Sequence, residues 1–277
     1  MGTPVMWPRL TDLFDVAIHV DAAHRRAELR LDPASRDLAA FWLAVHVASV
    51  RCGNTPQYFN AWFARWLGGP AHQDALRECL EAFLGSESIG TAAAPASDDH
   101  LEGFVAEHIW HALTREGATG FVSPVRVDGP DWSVTDSGGD GLSIHRVGGT
   151  LVFRLWESKA HAANGAVREV VNGACRQLTS HALRYLARFS LVGQAIDDDE
   201  LKLFYGNLVE HWRNSSDQAG SGVAVTTTGA APAADSFENF HSYWEFEQAE
   251  QRQGLLVVID DYALFAKSVR EQLWKGL

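Results

Sequence analysis

The chain has 277 residues, enough for one large domain or a core with an appended domain, and 46% hydrophobic residues can fill a sizeable globular core. No run approaches the roughly 18 apolar residues that cross a bilayer, and Cys52, Cys79 and Cys175 lack the paired spacing of a disulfide framework or a structural zinc site. The net charge of −12 disfavours a chain that grips nucleic acid through a broad basic surface of its own. Met1-Gly2-Thr3-Pro4 carries no basic region followed by an apolar one, so a reducing cytoplasm is the expected compartment.

In chain order, residues 15–20 and 27–31 have the character of strands. From Ser35 to Leu84 the pattern is helical: Leu38, Phe41, Trp42 and Val45 recur at helix spacing, then Tyr58, Phe59, Trp62, Phe63 and Trp66. That aromatic stripe suits a helical core; a base-stacking platform is the other use of such residues. Gly68-Gly69-Pro70 stops the segment, and a short helix over 74–84 follows.

Residues 90–97, Gly-Thr-Ala-Ala-Ala-Pro-Ala-Ser, read as a flexible connection. They divide the chain into a mostly helical N-terminal region, 1–97, and a second domain, 98–277. Asp98 or Asp99 is expected to cap a helix over 100–116 that buries Leu101, Phe104, Val105, Ile109 and Ala112. His108 and His111 lie three apart on it, but with no third ligand at matching spacing they are read as structural rather than zinc-binding. Gly117 to Gly120 ends this helix. A strand over 121–127 and a polar, Gly-rich loop to Gly139 come next.

Residues 140–159, Asp-Gly-Leu-Ser-Ile-His-Arg-Val-Gly-Gly-Thr-Leu-Val-Phe-Arg-Leu-Trp-Glu-Ser-Lys, read as two strands joined at Val147-Gly148-Gly149. Alternation puts Glu157 and Lys159 on one face, Ser158 on the other, and the hairpin brings Asp140 beside Glu157. Charges are unusual at the end of an apolar strand such as Leu151 to Trp156. The plain alternative is a solvated strand end with an incidental ion pair. Helices over 165–189 and 200–213, a strand over 223–228, a strand over 255–259 and a helix over 262–274 complete the order, with 229–253 unassigned.

An Asp followed by Glu-x-Lys, within helix, three strands, helix, extra helix, strand, resembles the PD-(D/E)xK nuclease superfamily. The resemblance implies a mixed α/β fold with a restriction-endonuclease-like αβββαβ core. It also implies metal-dependent phosphodiester hydrolysis, with Mg²⁺ or Mn²⁺ held by Asp140, Glu157 and the Ser158 carbonyl, and Lys159 orienting water or stabilising charge. Asp131, in a literal Pro130-Asp131, competes with Asp140 for the acid, and Asp128 and Asp136 also precede Glu157. Family members carry a glutamate on the first core helix, for which Glu107 is the candidate and Glu102 the alternative.

Gln177, His181, Arg184 and Arg188 share one face of the following helix, and Leu178, Ala182, Leu186 and Phe189 form a distinct apolar face. Gln177, with Tyr185 after it, resembles an auxiliary motif of resolvase-like and Mrr-like branches. His181, Arg184 and Arg188 would meet a phosphate backbone, or be an ordinary solvated face. The size, helical N-terminus and site arrangement are also similar to nuclease subunits of Hachiman-type antiphage systems, which implies DNA as substrate, RNA not being excluded, and restraint by a partner helicase. A non-catalytic binding or assembly subunit that kept the fold is the alternative.

Overall fold

The computed structural model describes residues 9–53, 55–130, 139–161, 166–228 and 236–277. The described chain opens with β1 (Phe14–Val20) and β2 (Arg25–Leu31), followed by α1 (Arg36–Cys52), α2 (Pro56–Trp66), α3 (Asp74–Leu84) and the short α4 (Ser86–Ile89). Next come α5 (Asp98–Arg115), β3 (Pro124–Asp128), β4 (Gly141–Val147), β5 (Thr150–His161) and the 26-residue α6 (Val167–Val192). The chain finishes with α7 (Asp199–Gly206), α8 (Leu208–Arg213), β6 (Ser221–Thr227), β7 (Arg252–Val258) and α9 (Tyr262–Lys275).

All these strands join one mixed sheet in the order β1-β2-β7-β6-β5-β4-β3. The middle pairs β2/β7, β7/β6 and β6/β5 are parallel, and the outer pairs are antiparallel. Such parallel strands need both faces covered. Alternation along each strand divides the core accordingly. Ala27, Leu29, Trp156, Ala224, Leu255 and Val257 face α1, α5 and α9; Phe153, Leu155, Val223, Val225, Leu256 and Val258 face α6 to α8. Each fully buried Leu or Phe of this kind contributes about 1.5–3 kcal/mol.

The N-terminal residues thus add two strands to the sheet that residues beyond 98 build, and α1 packs on α9. The stretch at 90–97 is anchored rather than a loose connection: Gly90 bridges Pro95, and α9 donates from Trp274 to the Gly90 carbonyl and from Arg270 to the Ala96 carbonyl. The aromatic stripe of α2 is packing: Trp62 is fully buried and donates to the Leu273 carbonyl, while Trp66 donates to Gln272.

Other local differences have simple causes. Ser97, not Asp98 or Asp99, caps α5 by accepting from the His100 N–H; both acids sit in the first turn, where the helix dipole favours them. The strand expected from Phe121 starts at Pro124. The helix expected over 200–213 is broken at Asn207, directly after Gly206, a poor helix former. In the unassigned stretch, Phe237 and Phe240 are buried against the α6 face. The β4–β5 turn is the two residues Gly148 and Gly149, with φ of 56° and 89°, the left-handed backbone that a tight hairpin requires.

Two polar clamps, one buried and one partly buried, brace the sheet. Arg154 donates to the carbonyls of Glu250 and Phe153 and lies 5.1 Å from the Phe121 ring centroid; burial pulls its guanidinium down to about 9. Asp128 accepts from Tyr205 and is paired with Arg126 at 2.8 Å, tying β3 to α7. Beside this clamp the backbone is crowded. A Cβ on Gly141 would lie 2.0 Å from the Trp110 ring and 2.5 Å from the Asp128 carbonyl. Gly141→Ala is therefore expected to destabilise the chain by about 1–3 kcal/mol, read in urea denaturation; an unchanged midpoint would show that the ring moves aside freely.

Candidate active site

The site lies where β5 outruns β4. Gly141 pairs with Trp156, so beyond Trp156 the β4 side of β5 has no strand partner. Asp140 takes that place. Its N–H donates to the Trp156 carbonyl at 2.8 Å, and its carboxylate accepts the Ser158 N–H. Residues of a strand present N–H and C=O to the same side, so the Ser158 carbonyl also faces the Asp140 side. The Ser158 side chain points to the opposite face from Glu157 and Lys159.

Glu157 is 1% exposed, on the face that packs on α6. One carboxylate oxygen accepts from Lys159 Nζ at 2.5 Å; the other, Oε2, is buried without a hydrogen-bond partner. Lys159 is 33% exposed and also donates to Gln177 Oε1 at 3.1 Å, which brings α6 into the site. Glu107 joins from α5 through its charge: burial raises its pKa well above the carboxylate range, Asp140 and Glu157 add to the rise, and Arg51 opposes it. Glu102 has no such link; its shift comes from burial and from Asp98 and Asp99.

The same balance acts on the other groups. Burial pushes Asp140 up to about 7 against the pull of Lys159 and the Ser158 N–H. Burial and then Asp140 push Glu157 up to about 9. Burial would pull Lys159 down, but Glu157 and Asp140 outweigh it and raise it. One buried and two half-buried carboxyl groups around one ammonium leave negative charge in excess, which favours the protonated form of the carboxyls.

Among the described residues no three His, Cys, Asp or Glu side chains stand close enough to enclose a metal ion. The donors present are Asp140, Glu157 with its unpartnered Oε2, and the Ser158 carbonyl, all oxygen. They fit a hard cation such as Mg²⁺, which uses one or two carboxylates and keeps several waters, better than zinc.

The remaining candidates are spread along α6. Arg188 lines a cavity of about 440 Å³ beside Asp140, with Gly129, Pro130, Tyr185 and Phe189. Arg184 lies over the Tyr185 ring at 5.2 Å, and His181 meets the same ring edge-on at 5.9 Å. From Gln177 to Arg188 the helix advances roughly 16 Å, so these groups lead outward from the carboxylates rather than converging on them. Asp128 is engaged by Arg126 and Tyr205 and is no rival to Asp140. Asp131 and Asp136 lie outside the described residues.

His108 and His111, both buried, group with the half-buried His46 of α1. His46 and His111 share a hydrogen bond of 2.9 Å, and His108 accepts from Arg51 at 3.4 Å. Burial lowers all three, His111 to about 3, so the rings are neutral. Arg51 and His46 are the contributions that the sequence did not signal. They sit more than 50 residues before Glu107 with no motif around them, and only the packing of α1 on α5 joins them. No protein-family model and no curated protein matches this chain.

The raised carboxyls set a pH dependence. Each keeps its proton to higher pH in the fold than in the unfolded chain. Stability is therefore fullest below the ordinary carboxylate range and falls as pH rises toward about 7 and about 9. In metal-free buffer, Asp140→Asn is expected to raise Tm at pH 8 by a few degrees and to leave it unchanged near pH 4. Each kilocalorie regained corresponds to roughly 2–4 °C. Equal Tm for both proteins at pH 8 would contradict the raised pKa of this half-buried carboxyl.

Proposed function

We propose that this chain is a nuclease of the PD-(D/E)xK type that hydrolyses phosphodiester bonds, with DNA as the first substrate to test. The observation that supports it most is the meeting of Asp140, Glu157, Lys159 and Gln177 where β5 outruns β4, with Glu107 coupled to them by charge. The order α5-β3-β4-β5-α6, then β6 parallel to β5 after α7 and α8, supports the same reading.

Asp140 and Glu157 are the ligands in this reading, with the Ser158 carbonyl beside them. A bound Mg²⁺ or Mn²⁺ supplies charge neutralisation at the phosphate and a more acidic water. Lys159, held by Glu157 and Gln177, presents its ammonium to a phosphate oxygen or to the attacking water. The water oxygen bonds to phosphorus while the bridging P–O bond breaks; the water's proton passes to solvent, and the leaving oxygen takes a proton from solvent to become a hydroxyl. Gln177 positions Lys159, and Glu107 sets the charge of the site from α5. His181, Arg184 and Arg188 lie along the path that a strand leaving the site would follow over α6.

A narrower proposal is an effector of a Hachiman-type antiphage system whose grip on DNA comes from a partner helicase. It rests on the sequence resemblance, and the net charge of −12 suits a chain that borrows its DNA-binding surface. The competing reading, a binding subunit that kept the fold, is favoured by one observation: the Asp140 and Glu157 carboxylates already have internal partners, and no three-ligand group stands assembled among the described residues.

Plasmid and linear DNA incubated with Mg²⁺ or Mn²⁺ test this directly. Lys159→Ala is expected to lower cleavage by roughly 100-fold or more, with folding checked by circular dichroism. Equal cleavage by both proteins would overturn the site. If neither cleaves, calorimetric titration of Mg²⁺ decides: binding lost in Asp140→Ala/Glu157→Ala supports a restrained nuclease, and no binding to the wild type supports the subunit.

A further inference from the structure

The two edges of the sheet are built differently. At the β3 edge, Pro124 removes a donor and a bulge breaks the register between Pro124 and Arg126, two devices that blunt a strand edge. At the other edge, β1 has neither. It is seven residues long, in regular register with β2, without proline or lysine. Six of its residues are exposed, among them Val16 (44%), Ile18 (42%) and Val20 (55%). Among the described residues no strand pairs with its outer side. A regular apolar edge of this length is a template for another strand.

The backbone direction of β1 fixes what can pair there. The Leu13 carbonyl accepts from Asp32 and the Asp21 N–H donates to the His24 carbonyl, so odd-numbered residues turn their polar groups toward β2. Even-numbered Phe14, Val16, Ile18 and Val20 therefore turn theirs outward. We infer that β1 pairs antiparallel with β1 of a second copy of this chain, about a two-fold axis at Ala17. This register alone uses the full strand. It sets Val16 opposite Ile18 and Phe14 opposite Val20 of the second copy as the hydrogen-bonded pairs.

The pairs left between them are the close, non-hydrogen-bonded ones. There Asp15 of each copy meets His19 of the other, twice by symmetry, and Ala17 meets Ala17 with no bulk at the axis. Acid opposite imidazole on one face and β-branched side chains on the other make the strand complementary to itself, as an isologous contact requires. The net charge of −12 is not concentrated at this edge, because β2 behind it carries Arg25, Arg26 and Arg30 against Glu28 alone. The contact is independent of the proposed chemistry.

Sedimentation velocity of the full chain over a concentration series tests it. The wild type is expected to form a concentration-dependent dimer. Ile18→Pro removes an outward N–H while sparing the β2 ladder, and is expected to be a folded monomer by circular dichroism. Asp15→Lys is expected to weaken the dimer about tenfold through two altered cross-strand pairs, and Asp15→Lys/His19→Asp to restore it. The two charge variants decide the matter even if Ile18→Pro does not fold. A monomeric wild type at every concentration would overturn the inference, as would a dimer indifferent to Ile18→Pro or a double variant no tighter than the single one. Protection of the β1 amides only in the presence of a different protein would also overturn it, and would give the edge to that partner.

Discussion

A strand longer than its neighbour leaves polar backbone groups that must be satisfied, and β5 past Trp156 is such a strand. Asp140 answers with its side chain what β4 no longer supplies with its backbone, by accepting the Ser158 N–H. That single contact holds a carboxylate beside Glu157, on the side that the Ser158 carbonyl faces. The backbone on either side of Asp140 is crowded at Gly129 and Gly141. A Cβ on Gly129, whose φ is 114°, would lie 2.4 Å from the Asp140 carbonyl, so only glycine lets the segments run this close.

Burial then turns a strand end into a chemically poised one. An exposed Glu–Lys pair is worth little, but Glu157 is almost wholly buried and keeps one oxygen without a partner. An unmet acceptor in such a place costs about 1–3 kcal/mol. This cost is not recovered by packing, because Lys159 satisfies only the other oxygen. At Glu157 the protein tolerates it next to two more carboxyl groups. Local stability has been given up where charge is gathered.

Much of the architecture could be read directly. The Gly148-Gly149 turn, the apolar run ending at Glu157 and the aromatic periodicity of α2 are local signals, and each produced the expected element. That Gln177 lies on a polar face distinct from that of Leu178 and Leu186 also follows from helix spacing, although its bond to Lys159 does not. What local pattern does not carry is which elements meet. Nothing in residues 14–31 indicates that β2 lies beside β7, because parallel pairing leaves no turn between the partners. The Arg51–His108 contact was invisible for the same reason, as it depends on how α1 crosses α5. Ser97 was missed as a cap because two acids follow it, and sequence cannot say which of three adjacent oxygens turns inward.

The parallel pairing of β2 with β7 has a consequence for how the molecule comes into being. Arg25 is registered with Gln253, so β2 waits for a strand that follows it by more than 200 residues. Contacts of such span are slow to form. During synthesis β2 stays unpartnered on that side until β7 has left the ribosome. The central strands β5 and β6 are adjacent and complete earlier. Until β7 pairs with it, β6 presents an open strand edge, which chaperones or a co-translational partner would meet.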